Sequence, residues 1–297
     1  MEIFKTFNNP KDLFMWLINP DVSSEFYFRG ISAPEQIYPS IMRTNGNDLS
    51  DFEDYILQNF IRYGSSLVGN INNAFDCVGY AQHFGLPTRL VDWSKNPLIA
   101  LFFSIYYNIT EDNKTPQLLL LPRTETMPIY EPVHFVTNGE VGISYRSPIR
   151  DYSKFVKNVK DGHFAKLCIA TSQHLDDMMD YTLAPYSDEV TRKDEAGQMI
   201  MINPGYSNSR ILVQDGLFYM PRKLKTTEID QEYTASKVSL IQIDKNWRTQ
   251  LLKMLDCVGI SKYRLFFDLS NICGYITEKT ELLNKQPINW TEPADHK

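Results

Sequence analysis

Cysteine is scarce and scattered. Cys77, Cys168, Cys257 and Cys273 are the four in 297 residues, and no two form a C-x-x-C pair. That spacing speaks against a clustered thiolate metal site and against a disulfide framework, so no metal is expected and a reducing cytoplasm is the expected compartment. Long apolar runs are missing too. The longest, residues 97–107, falls far short of the roughly 20 residues of a membrane span, and the first residues hold no signal-like apolar stretch; a soluble chain with no membrane partner is the expectation. Positive charge is not in excess: 30 Lys and Arg face 36 Asp and Glu, for a net charge of −6 and a pI near 5.5. Such a chain has no general attraction for phosphate backbones, although a local basic pocket remains open. Four motifs are also absent: G-x-G-x-x-G, G-x-x-x-x-G-K-[ST], H-E-x-x-H and G-x-S-x-G. The usual dinucleotide, nucleoside-triphosphate, zinc-protease and hydrolase readings lose their sequence support.

What is present is core material. Hydrophobic residues make up 43% and aromatics 13% of the chain, enough for one large domain. Asn9-Pro10 opens a short capped helix that ends near Asn19-Pro20, because proline suits the first helical position. Residues 25–29 read as a strand with Phe26 and Phe28 on one face and Tyr27 and Arg29 on the other. Ser50-Asp51-Phe52-Glu53 has the form of a capping box and predicts a helix to about Tyr63. Further helices are expected over 77–84 and from Asn96-Pro97 onward, the latter apolar nearly all round and therefore central. Strands are expected at 117–121, 198–202, 209–214, 217–219 and 237–243. A helix follows from Trp247, closed by Gly259, and a last one lies between 268 and 283. Helices and strands do not alternate regularly, so an α+β fold with one mixed sheet is expected rather than a doubly wound one. The organisation expected is a helical element over 1–24, a main domain over 25–285 with an insertion at about 122–194, and a loose tail over 286–297.

Two places carry chemistry. Arg29 ends an aromatic strand and is followed by Gly30, which allows close approach of a ligand to the backbone. Its guanidinium suits a phosphate or carboxylate; the alternative is an ion pair at a sheet edge. The second place is residues 82–93, Gln-His-Phe-Gly-Leu-Pro-Thr-Arg-Leu-Val-Asp-Trp. So many hydrogen-bonding groups beside an apolar helix form either a buried polar network or a site. Within it Arg89 and Asp92 either pair with each other or serve a ligand, and His83 is either structural or functional.

Phe28-Arg29-Gly30, Tyr38-Pro39-Ser40-Ile41-Met42-Arg43, the 82–93 block with Asn96-Pro97-Leu98 and Ala100-Leu101-Phe102-Phe103, and Arg210-Ile211-Leu212-Val213-Gln214-Asp215-Gly216-Leu217-Phe218 resemble, in order, the FRG-domain family, named for its Phe/Tyr-Arg-Gly motif. The resemblance runs from about residue 20 to about 275. FRG domains are distantly similar to ADP-ribosyltransferases, which implies a split β-sheet core and an activity that uses NAD. By that resemblance Gly30 would hold the nicotinamide amide, and Arg29 would grip the ribose or phosphates. His83, Arg89 and Trp93 would line the same cofactor pocket, and Thr88, of the middle motif, would be catalytic together with Arg29, Asp92 and Gln214. The classical transferases have a late glutamate. Here the matching stretch carries Gln214 and Asp215 instead, so Gln214, Asp215 or Asp92 would take part of its role, with Glu189, Glu195 and Glu228 as spare acids. The implied function is an NAD-dependent transferase acting on protein or RNA, of the kind found as toxins in toxin–antitoxin or phage-defence systems, restrained by an antitoxin or chaperone. The alternatives are a non-catalytic nucleotide- or nucleic-acid-binding module, and a nucleic-acid-modifying enzyme that stacks single-stranded RNA on Tyr80, Phe84 or Trp93.

Overall fold

The first helix, α1 (Pro10–Leu17), starts where its sequence predicts: the Asn9 side chain accepts a hydrogen bond from the Asp12 amide at 2.9 Å, and Pro10 occupies the first turn. Asn19-Pro20 does not merely end it. The same device is repeated, with Asn19 accepting from Asp21 N at 3.0 Å, and starts a second short helix, α2 (Pro20–Glu25). The chain then enters β2 (Phe26–Ile31), a strand whose residues alternate between two cores.

The computed structural model describes residues 1–44, 49–64, 74–106, 115–129, 132–137, 140–145, 197–202, 209–221, 223–266, 273–274 and 276–277. Among these, eight strands form one mixed sheet in the order β1 (Glu2–Ile3), β10 (Ser239–Gln242), β4 (Gln117–Pro122), β2, β3 (Val91–Ser94), β9 (Gly216–Tyr219), β8 (Met199–Ile202), β5 (Thr126–Ile129). The β1–β10 and β5–β8 pairs are parallel and the rest antiparallel. A separate hairpin joins β6 (Pro132–Thr137) to β7 (Glu140–Tyr145). The α+β class is as expected. The expected insertion lies mostly outside the described residues, as do the loose tail and most of the last helix.

One sheet face packs on α1, α2, α5 (Pro97–Tyr106), α8 (Arg248–Cys257) and α9 (Lys262–Leu265), through Phe26 and Phe28 of β2, Leu118 and Leu120 of β4 and Ile241. Fully burying one such side chain as Phe28 contributes about 1.5–3 kcal/mol. The other face packs on α7 (Thr226–Ala235), through Ile31, Trp93, Leu119, Leu217, Tyr219, Ile229 and Tyr233. Helix α5 is buried as its composition predicts, and Asn96 caps it by accepting from Leu98 N and Ile99 N. It lies so close to β2 that a Cβ on Gly30 would overlap the Ala100 carbonyl oxygen and come within 2.6 Å of Ser104 N. Glycine at 30 therefore has a packing cause. Among the described residues, no helix is long and apolar enough to cross a membrane, and no cluster of His, Cys, Asp or Glu could hold a metal ion.

Two expectations are corrected. Residues 209–214 do not form a strand; Ser209–Val213 is a helical turn, α6, closed by Gln214 N donating to Arg210 O at 3.0 Å. Asp215, at φ 46°, then reverses the chain so that β9 starts at Gly216 beside β3. A short apolar run is ambiguous between the two periods, and the exposed Leu212 and Val213 belong to no sheet face. Nor does Glu53 close a capping box. Helix α3 (Leu49–Gly64) begins earlier, at Leu49, and its Glu53 turns inward, fully buried, onto Arg89.

Candidate functional site

Strands β2 and β3 are neighbours that share a single ladder pair, Phe28 opposite Ser94. β2 follows β4 over its whole length and β3 follows β9, so beyond that pair the two strands part. Backbone groups facing such a gap need other partners. Arg29 supplies them: Nη1 donates to the Asp92 carbonyl, and Nη2 donates at 2.8 Å to the carbonyl of Gln36, in the 3-10 turn Pro34–Ile37. The turn is held from its other side by Tyr233, whose hydroxyl donates to Ile37 O at 2.9 Å, and its Gln36 side chain accepts from Ser32 N at 2.8 Å. Burial pulls the Arg29 pKa below its ordinary value, with Tyr233 and Asp92 opposing the shift. Arginine starts so high that the guanidinium remains the fixed cation of the gap. Burial likewise pushes the Tyr233 phenol far up, so it stays neutral.

A cleft of about 300 Å³ opens at this gap. It is at the low end of the range for ligand sites, roughly 300–1,000 Å³. Arg29, Gly30, His83, Asp92, Trp93 and Gln214 of the expected site all line it. Asp92 is solvent-exposed, and its Oδ2 accepts from Gln82 Nε2 at 2.8 Å. Gln214 enters from α6, its Nε2 donating to Leu265 O at 2.9 Å. Two buried donors at the cleft, Arg29 Nε and Trp93 Nε1, have no hydrogen-bond acceptor among the described residues. Buried N–H groups rarely stay unmatched, and a ligand rich in oxygen acceptors would match them.

Thr88 and Arg89 stand behind the cleft rather than in it. Thr88 is fully buried, donating to Gln82 Oε1 at 2.6 Å. Arg89 is 2% exposed; its Nη2 and Nε each lie 2.7 Å from Glu53 Oε2, and its backbone N donates to Glu53 Oε1 at 3.1 Å. So Arg89 does not pair with Asp92. Each has another partner: Glu53 on α3 for Arg89, and Gln82 on α4 (Ala74–His83) for Asp92.

The model of the FRG-domain family matches residues 24–113. The chain carries an FRG domain. No curated protein and no solved structure matches the chain. The matched span of the FRG domain holds the gap, Arg29 and the whole 82–93 block, whereas Arg210, Gln214 and Phe266 join the cleft from beyond it. Of the aromatics expected to stack bases, Phe84 is 63% exposed, while Trp93 is 3% exposed with its ring against Tyr233. Glu189 and Glu195 lie outside the described residues, and Glu228 faces Lys223 at 3.4 Å.

Several cleft residues of the FRG domain and its surroundings are not singled out by sequence reasoning. Arg43 lines the cleft, its Nη1 donating to Tyr38 O at 3.1 Å. Arg210 lines it too, donating to His83 O at 3.1 Å with its guanidinium 4.4 Å from the Phe266 ring centre. Both sit inside motif stretches that carry the family resemblance, so a signal was there. Phe103, in the Ala100–Phe103 stretch, shares that signal; Phe266, which it meets edge to face at 5.8 Å, had none beyond being aromatic.

Proposed function

We propose that the cleft binds NAD and that the protein transfers ADP-ribose from it to a macromolecular acceptor, protein or RNA. The carrying observation is the grouping, among the described residues, of Arg29, Arg43 and Arg210 with a single exposed carboxylate, Asp92, around one cleft. Guanidinium groups suit a diphosphate because each offers a rigid fork of donors. In the transfer, the bond from nicotinamide nitrogen to ribose carbon breaks and its electron pair leaves on nicotinamide. The acceptor's oxygen or nitrogen forms the new bond to that carbon and gives up its proton to Asp92 or water. Positive charge develops on the ribose during this exchange, and a pre-placed carboxylate stabilises it. Asp92 takes that part, with Gln214 also lining the cleft. A cytoplasmic toxin or phage-defence effector, with an antitoxin or chaperone as partner, is the setting the FRG resemblance supports.

The test is incubation with labelled NAD and separate protein and RNA fractions. Label should enter one fraction, and Arg29→Ala, still folded, should abolish it; retained transfer in that variant overturns the site assignment. A second reading, a nucleotide-binding module without turnover, is favoured by one observation: among the described residues, no glutamate lines the cleft. Calorimetric NAD binding without released nicotinamide would select it.

A further inference from the structure

The expected catalytic role of Thr88 does not fit its full burial, yet its hydroxyl has a definite destination. Thr88 Oγ1 accepts from Leu90 N at 3.2 Å, and its own proton goes to Gln82 Oε1 at 2.6 Å. With the amide oxygen so occupied, the amide NH2 of Gln82 is the end left for Asp92, and Gln82 Nε2 donates to Asp92 Oδ2 at 2.8 Å. A carboxylate only accepts, so the order of donors along this chain cannot be reversed without breaking a bond. The base of the chain is anchored: Thr88 N donates to Ser40 Oγ at 3.0 Å, Thr88 O accepts from Ile41 N at 3.2 Å, and Arg89 beside it is tied to Glu53. At the far end, the Asp92 main chain is held by Arg29.

We infer that Thr88 and Gln82 are positioning residues that set the Asp92 carboxylate, engaging Oδ2 and leaving Oδ1 for the ligand. This rests on the transferase reading above, and it assigns three polar residues of the 82–93 block to one task. Thr88 sets the Gln82 amide, Gln82 sets the carboxylate, and Asp92 alone meets the ribose. A misaligned reacting group costs on the order of 10²-fold in rate while leaving binding groups in place. Thr88→Val, which keeps the shape and removes the hydroxyl, should therefore lower kcat on that order and leave KM for NAD within about twofold, whereas Thr88→Ser should retain activity.

The experiment is a cycle of Thr88→Val, Asp92→Asn and the double variant in the transfer assay, read beside the Gln82 side-chain amide signal in a 15N spectrum, assigned by its loss in Gln82→Leu. Support is a Thr88→Val loss that disappears in the Asp92→Asn background, with the amide signal displaced by Thr88→Val and by Asp92→Asn but not by Thr88→Ser. Losses that multiply independently, or an amide signal that ignores both substitutions, overturn the inference. If the wild-type protein transfers nothing, the transferase reading falls by itself, and the amide signal alone decides whether the chain of bonds to Asp92 exists.

Discussion

Two arginines of the FRG domain, Arg29 and Arg89, live in opposite surroundings. Arg89 is enclosed with Glu53 in a dry interior, where each charge has the other and both oxygens of the carboxylate are used. Arg29 stands at a gap in the sheet, pairs with two neutral carbonyls, and keeps Nε without an acceptor among the described residues. One guanidinium is spent on the fold; the other retains capacity for an anion. Sequence position does not separate them, since both stand in motif stretches; their partners do.

The comparison breaks first at Arg89. Arg89→Ala leaves Glu53 charged and buried and should cost about 3–5 kcal/mol in urea unfolding, while Arg89→Met with Glu53→Leu should recover most of it. A loss below about 1 kcal/mol would remove the contrast. Next, Gly30→Ala drives a methyl group into the α5 backbone and should cost about 3 kcal/mol, seen as a lowered urea midpoint. Third, Arg29→Ala gives up two hydrogen bonds to carbonyls and should cost only about 1–2 kcal/mol, with the larger effect on NAD binding by calorimetry. A stability loss matching that of Arg89→Ala would make both arginines structural.

The smallest effect concerns Tyr233, which braces the turn that Arg29 holds. Its folded-state pKa is raised by burial, so its contribution to stability is complete below the ordinary tyrosine pKa of about 10 and is lost as pH rises through the higher folded value. Tyr233→Phe should cost about 1 kcal/mol at neutral pH and flatten the alkaline fall of stability in unfolding curves. An unchanged slope would assign that fall to other groups.

Much of this was legible in local signals. Asn9-Pro10 and Asn96-Pro97 named two helix starts, the Phe26/Phe28 alternation named the buried strand, and the density of polar groups in residues 82–93 marked the cleft. Partner choice was not legible. Glu53 reads as a capping residue because its spacing from Ser50 is local, whereas its real partner lies 36 residues away. Gly30 reads as a ligand contact because the helix that demands its small size comes 70 residues later in the chain. Residues 209–214 read as a strand because one helical turn is too short to show its period. The first two turned on long-range packing, which no window of sequence contains.

The lone ladder pair between β2 and β3 divides the eight strands into two quartets, β1–β10–β4–β2 and β3–β9–β8–β5, each with its own continuous hydrogen bonding. The Phe28–Ser94 pair and the Arg29 guanidinium act as rivets across this seam. Amide hydrogen exchange along the seam should then be faster than within either quartet, because opening there severs few backbone bonds. The same line of weakness supplies the cleft, so whatever anion settles on Arg29 also stitches the two half-sheets together.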